Sequence, residues 1–150
     1  MKVRELVDKL GLKVLSGENG LDREIDGCYV SDLLSDVMGN ADAGNVWITL
    51  QTHKNVMAVA SLKEMACVIL VKNLTANEDT LSQSNEEEIP ILQTSMETFE
   101  VTGRVYEIIK SENLKNWKTE KLKNWKILRF SDSQILKFSN SQVFKFSSFQ

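Results

Sequence analysis

Residues 27–53 read GCYVSDLLSDVMGNADAGNVWITLQTH. The stretch holds an apolar strand, a short Ser-led helix, a polar turn, a second apolar strand and a polar Thr-Gln-Thr-His exit. Strands that alternate with helices and end in polar groups describe a small α/β domain. Glu24–Val30 reads as the first strand. Ser31 is placed to cap a helix through Met38, with Leu33, Leu34, Val37 and Met38 on its apolar face. Gly39–Asn45 is a polar connection and Val46–Leu50 the second strand. Thr52 or His53 then starts a helix of about a dozen residues, with Val56, Val59, Ala60 and Leu62 to Met65 inward.

Downstream, Cys67–Val71 (CVILV) is a continuous apolar run, as expected of a strand covered on both faces. Thr75-Ala-Asn-Glu78 matches a capping box and opens an acidic helix to about Glu88. Pro90, the sole proline, precedes a short strand at Ile91–Gln93. Thr94-Ser-Met-Glu97 is a second capping-box match, opening a last helix through Ile109. Upstream, Val3, Leu6, Val7 and Leu10 recur at helical spacing and Gly11 follows as a C-terminal cap. Leu12–Leu15 is a short strand and Gly17–Gly20 a turn.

The predicted fold class is therefore α/β, a small mostly parallel sheet flanked by helices. The strands at Val46, Cys67 and Pro90 lie about 22 residues apart, which fits one helix per crossover. Such sheets bind ligands at the carboxyl ends of their strands. Those ends are Ser31 and Asp32, then Gln51, Thr52 and His53, then Lys72 and Asn73, then Thr94 and Ser95. Helix starts at Ser31, Thr52 and Thr94 would add free backbone N–H groups, which suit anions.

The 150 residues suffice for one domain with a real core, and 42% hydrophobic with 26% charged residues is ordinary for a globular protein. No apolar run approaches the length of a bilayer span. Met1–Leu10 alternates charged and apolar residues, unlike a secretory signal. Cys28 and Cys67 belong to no CxxC pair, and two buried thiols in a reducing cytoplasm is the expectation.

The net charge of −3 hides an asymmetry. Residues 1–110 carry ten Lys/Arg and eighteen Asp/Glu, or −8, and residues 111–150 carry eight and three, or +5. The −8 segment disfavours a nucleic-acid partner. From Asn113 the chain repeats with a period of eight: NLKNWKTE, KLKNWKIL, RFSDSQIL, KFSNSQVF, KFSSFQ. Solenoid units run to about 20 residues or more and coiled coils repeat at seven or eleven, so this period matches neither. Residues 1–110 are read as the domain. Residues 111–150 are read as a low-complexity octapeptide-repeat tail, disordered or a non-native extension. Its basic aromatic composition would also suit nucleic acid or an amphipathic contact. KILRF, QILKF and QVFKF within it are β-prone.

The single histidine, His53, just past a strand end, is either a phosphate contact or acid/base, or simply a residue flanking a helix start. Asp32 and Asp36, four apart, would share a helix face and could hold Mg²⁺ or form an acid/base pair, or form a solvated face. The chain has no G-x-x-x-x-G-K-[ST], G-x-G-x-x-G, G-x-S-x-G or H-E-x-x-H, which excludes a P-loop kinase by motif.

The opening helix, LKVLSGENGLDREIDGCYVSDLLSDVMGNADAGNVWITLQTH, the CVILV and IPIL strands and the closing FEVTGRVYEII helix resemble a stand-alone DRTGG-domain protein across residues 1–110. The GLDREI–YVSDLL portion also resembles the N-terminal domain of HPr kinase/phosphorylase. The resemblance implies an α/β fold and a regulatory or dimerising module rather than a catalytic one. Stand-alone members are encoded beside hydrogenase and redox genes in anaerobic bacteria, which implies a redox-enzyme partner. The string Asp-Arg-Thr-Gly-Gly itself is absent; KNLTANEDTL follows CVILV, and no binding residues carry over from that region.

The expectation is a non-enzymatic cytoplasmic sensor, a homodimer or a companion of a redox enzyme, with no resident cofactor and no metal. It would bind a small anionic ligand or nucleotide through Ser31, Asp32, Thr49, Gln51, Thr52 and His53. The alternatives are a protein–protein adaptor without a small-molecule ligand, and a small metal-dependent phosphoryl-transfer or hydrolytic enzyme using Asp32, Asp36 and His53.

Overall fold

The structure, a computed structural model, describes residues 1–130. The chain divides into two units, Met1–Glu112 and Asn113–Gln150. The first unit begins with α1 (Val3–Leu10), β1 (Lys13–Ser16), a 3₁₀ turn (Glu18–Gly20) and β2 (Gly27–Val30). It continues with α2 (Leu34–Asn40), β3 (Asn45–Thr49), α3 (Asn55–Leu62), β4 (Cys67–Leu70), α4 (Glu78–Glu87) and β5 (Ile91–Gln93). Helix α5 spans Thr98–Phe130.

The five strands form one sheet in the order β1-β5-β4-β3-β2. Strands β2 to β5 are parallel to their neighbours, and β1 is antiparallel to β5. Strands β3 and β4 are buried along their whole length. Their alternation feeds two cores at once. Val46, Ile48, Cys67, Ile69 and Val71 pack with Val3 and Leu6 of α1 and Val101 and Val105 of α5. Trp47, Val68 and Leu70 face the other way, with Val37 of α2 and Val56, Met57 and Ala60 of α3. A sheet apolar on both faces needs helices on both faces, which is why CVILV reads as an unbroken run. Gly11 closes α1 in the left-handed region (φ 62°), its N–H donating to the Val7 carbonyl. Gly17 (φ 74°) lies against the β5 entry, where a Cβ would come within 2.6 Å of the Ile89 carbonyl oxygen.

Several boundaries differ from the sequence expectation, for identifiable reasons. Helices α2, α3 and α5 begin at Leu34, Asn55 and Thr98, about three residues beyond Ser31, Thr52 and Thr94. The Ser31 hydroxyl accepts from Leu33 N (3.2 Å) and the Thr94 hydroxyl from Met96 N (3.2 Å). Each closes a local turn instead of capping a helix, the usual competing use of these side chains. The box at Thr75–Glu78 does not form either, since α4 has Asn77 at its cap and no side-chain cap bond. The apolar face of α2 narrows to buried Val37, leaving Leu33 64% exposed and Met38 exposed. Seven residues beside edge strand β2 cover little. Leu62, expected inward on α3, is 68% exposed, while Met65 beyond the helix is buried. The strand expected from Glu24 pairs continuously only from Gly27, with Glu24 making an isolated bridge to Lys2.

The largest departure is α5, which does not stop at Ile109. No glycine follows Gly103 and no proline follows Pro90, so no helix-breaking residue intervenes. KILRF, expected to be β-prone, is helical; QILKF and QVFKF lie outside the described residues. Among the described residues, no helix is long and apolar enough to cross a membrane.

Cys28 and Cys67 are free, and where two buried thiols were expected only Cys67 is buried, Cys28 being half-buried on edge strand β2; they sit in one row of the sheet, each in register with Val46. Burial pushes the Cys28 thiol up to about 12, and burial first, then the neighbouring Cys28, raises Cys67. Thiolates are the reactive form. Native protein at pH 8 should therefore leave both thiols unreacted toward a chromogenic disulfide reagent on the minute scale, and both should titrate after unfolding in guanidinium. A thiol that reacts within seconds in the native state contradicts this packing.

Candidate functional site

Because β2 to β5 run parallel, their carboxyl ends share one edge of the sheet. At the β2–β3 end, Asp32 is the hub. Its Oδ1 accepts from the Thr49 hydroxyl (2.9 Å) and from Leu50 N (2.7 Å). Thr49 Oγ1 in turn accepts from Gln51 N (3.1 Å), and Trp47 Nε1 donates to the Ser31 carbonyl (2.8 Å). Thr49 is 1% exposed, so this network is rooted in the core. The structure thus brings Ser31, Asp32, Thr49 and Gln51 together. Thr52 follows, half-buried, its carbonyl accepting from the Thr80 hydroxyl (3.4 Å). His53 is exposed, and its ring makes no hydrogen bond among the described residues.

The expected Asp32–Asp36 pair does not form. Asp32 precedes α2 and turns to β3, whereas Asp36 accepts from the Tyr29 hydroxyl (2.9 Å) and from Asn40 Nδ2 (2.9 Å). Among the described residues, no group of three His, Cys, Asp or Glu side chains could hold a metal ion. The metal-dependent enzyme reading thereby loses its carboxylate pair. The N-caps of α2 and α3 are Leu33 and Lys54, each two residues beyond Ser31 and Thr52.

The β4–β5 end is built differently. Lys72 and Asn73 both have φ of 56°, a conformation uncommon for any residue with a Cβ and rarer for two in succession. It is held by Lys72 N to the Met96 carbonyl (3.1 Å) and Asn73 N to the Thr94 carbonyl (2.8 Å). Gln93 Nε2 donates to the carbonyls of Asn73 and Leu74, both at 3.0 Å. Beside this loop is an open cleft of about 380 Å³, its polar wall made by Lys13, Asn73, Gln93, Thr94, Ser95 and Arg104. Asn73, Thr94 and Ser95 are among the strand ends named from sequence. Lys13 and Arg104 were not foreseen. Lys13 arrives because β1 is antiparallel, in register with Gln93, and Arg104 from the second turn of α5; neither placement has a local sequence signal.

A sequence profile described as the DRTGG domain matches residues 5–108. No curated protein matches the chain. Among solved structures, the chain is similar to the CBS and DRTGG domains of the regulatory region of Clostridium perfringens pyrophosphatase, complexed with its activator diadenosine tetraphosphate. The TM-score is 0.55 at 11% identity, over 67% of this chain and 44% of that one. The chain therefore spans less than half the length of that structure, and the likeness establishes the fold.

Proposed function

The chain belongs to the DRTGG domain family, and on that footing we propose that its first unit is a non-enzymatic regulatory module that senses a small anionic ligand, a nucleotide being the favoured class. The observation that carries this reading is the polar edge at the carboxyl ends of four parallel strands, where open α/β sheets take their ligands. The nucleotide activator held by the structurally similar pyrophosphatase region supports the ligand class. On this reading Ser31, Asp32 and Thr49 hold the β3 exit in one geometry, while Gln51, Thr52 and His53 contact the ligand. Asp32, its charge met by two donors, accepts from ligand hydroxyls and leaves the anionic part elsewhere. The module works in the cytoplasm as a homodimer or beside a redox enzyme. Residues 111–150 are a low-complexity octapeptide-repeat extension of the domain.

Calorimetric titration of the full chain with adenine nucleotides, acyl phosphates and nicotinamide cofactors tests this. The double variant Thr52→Ala, His53→Ala should weaken the active compound about tenfold or more, given about 0.5–1.5 kcal/mol for a neutral hydrogen bond and 1.5–3 for a charged one. Unchanged affinity removes these residues from the site. Binding of no compound favours the adaptor reading.

A further inference from the structure

The cleft at the β4–β5 end has the chemistry that the β2–β3 end lacks. Two cations, Lys13 and Arg104, line it, and no carboxylate does, in a segment whose overall charge is −8. The Lys13 ammonium makes no ion pair or hydrogen bond among the described residues, and neither do the Ser95 hydroxyl or the Asn73 side-chain amide. Arg104 spends one N–H, Nη2 on Glu100 Oε1 at 2.7 Å, leaving the rest of its five donors for a ligand. The nearby Glu97 is engaged by Lys72 at 2.9 Å. Gln93, by contrast, is committed to the Asn73 and Leu74 carbonyls, so it braces the wall rather than reaching into the cleft. Asn73, the second residue of the left-handed pair, is part of this wall, and such conformations persist where surrounding structure imposes them, often at ligand clamps.

We propose that this cleft is a phosphoryl-binding subsite, in which Lys13, Arg104, Ser95 and Asn73 donate to the oxygens of a phosphate group. Arg supplies a planar fork and Lys a point charge, the usual combination for phosphate. The ligand's phosphate source is a nucleotide or free inorganic phosphate or pyrophosphate. The site's chemistry is the same for both, and only the nucleotide source rests on the function proposed above.

The test is titration of the ¹⁵N-labelled full chain with inorganic pyrophosphate and, separately, with ATP, followed by NMR. Pyrophosphate should shift the amides of Lys13, Asn73 and Ser95 and the Arg104 Nε–H along one saturating curve. Lys13→Ala and Arg104→Gln change exposed side chains and should each weaken it about tenfold or more, with unfolding midpoints unchanged. Shifts that fail to saturate, that centre on the basic residues beyond Glu112, or that survive both substitutions overturn the subsite. ATP separates the two ideas. If ATP binds, loses affinity with Thr52→Ala, His53→Ala and ignores Lys13→Ala and Arg104→Gln, the subsite fails and the sensor reading stands. If pyrophosphate binds here and no nucleotide does, the subsite stands for free phosphate and the nucleotide reading fails.

Discussion

Trp47→Ala is expected to bring the protein close to unfolding. Trp47 is fully buried in the middle of β3 and belongs to the core formed with α2 and α3. Truncating a buried Trp to Ala costs about 3–5 kcal/mol, from lost transfer energy plus the cavity left behind. The indole also donates to the Ser31 carbonyl, so the substitution also leaves that carbonyl, at the β2 exit, without its donor. For a domain of this size the midpoint should fall on the order of 15–20 °C, against a typical total stability of about 5–15 kcal/mol. Trp47→Phe separates the two contributions: it keeps most of the volume, removes the hydrogen bond, and should cost about 1–2 kcal/mol. Urea unfolding followed by circular dichroism checks both. A loss under 1 kcal/mol for Trp47→Ala is incompatible with Trp47 at the centre of that core.

The second large effect is expected at Asp32. Asp32→Ala removes the acceptor for the buried Thr49 hydroxyl and for Leu50 N. Bonds to a charged acceptor contribute about 1.5–3 kcal/mol, and the loss leaves donors at a core-rooted strand end unsatisfied. The unfolding midpoint in urea should drop accordingly with the slope unchanged. Asp32→Asn retains an acceptor oxygen and should recover most of the loss. If Asn destabilises as much as Ala, the carboxylate is acting through charge and the hydrogen-bond hub is wrongly assigned.

The buried strands were the most legible part of this chain. The apolar runs Val46–Leu50 and Cys67–Val71 mark the strands that the structure places at Asn45–Thr49 and Cys67–Leu70, because burial on both faces imposes composition at every position. Helix starts were less legible. Ser31 and Thr94 look like caps from residue type alone, yet each closes a turn on the N–H two residues ahead, a choice set by where the strand delivers the chain. The clustering of Ser31, Asp32, Thr49 and Gln51 was legible for a similar reason, since these residues follow directly from two strand exits. The cleft was legible only by half. Asn73, Thr94 and Ser95 are strand-end residues, but Lys13 and Arg104 depend on an antiparallel register and on the rotation of a helix, both products of tertiary packing. The Asp32–Asp36 pairing failed because helical spacing predicts a shared face only if both residues lie in the helix.

The proposed activity of this DRTGG module is the sensing of a small anionic compound. Its most direct test is thermal unfolding of the full chain in the presence of adenine nucleotides, acyl phosphates and nicotinamide cofactors, one at a time. A compound held at a hundred times its dissociation constant stabilises the folded state by about 2.7 kcal/mol, which for a domain of this size raises the midpoint on the order of 10 °C. A rise of that size with one class of anion, growing with concentration, is the predicted result. A midpoint that stays fixed across every compound up to millimolar concentration contradicts the claim.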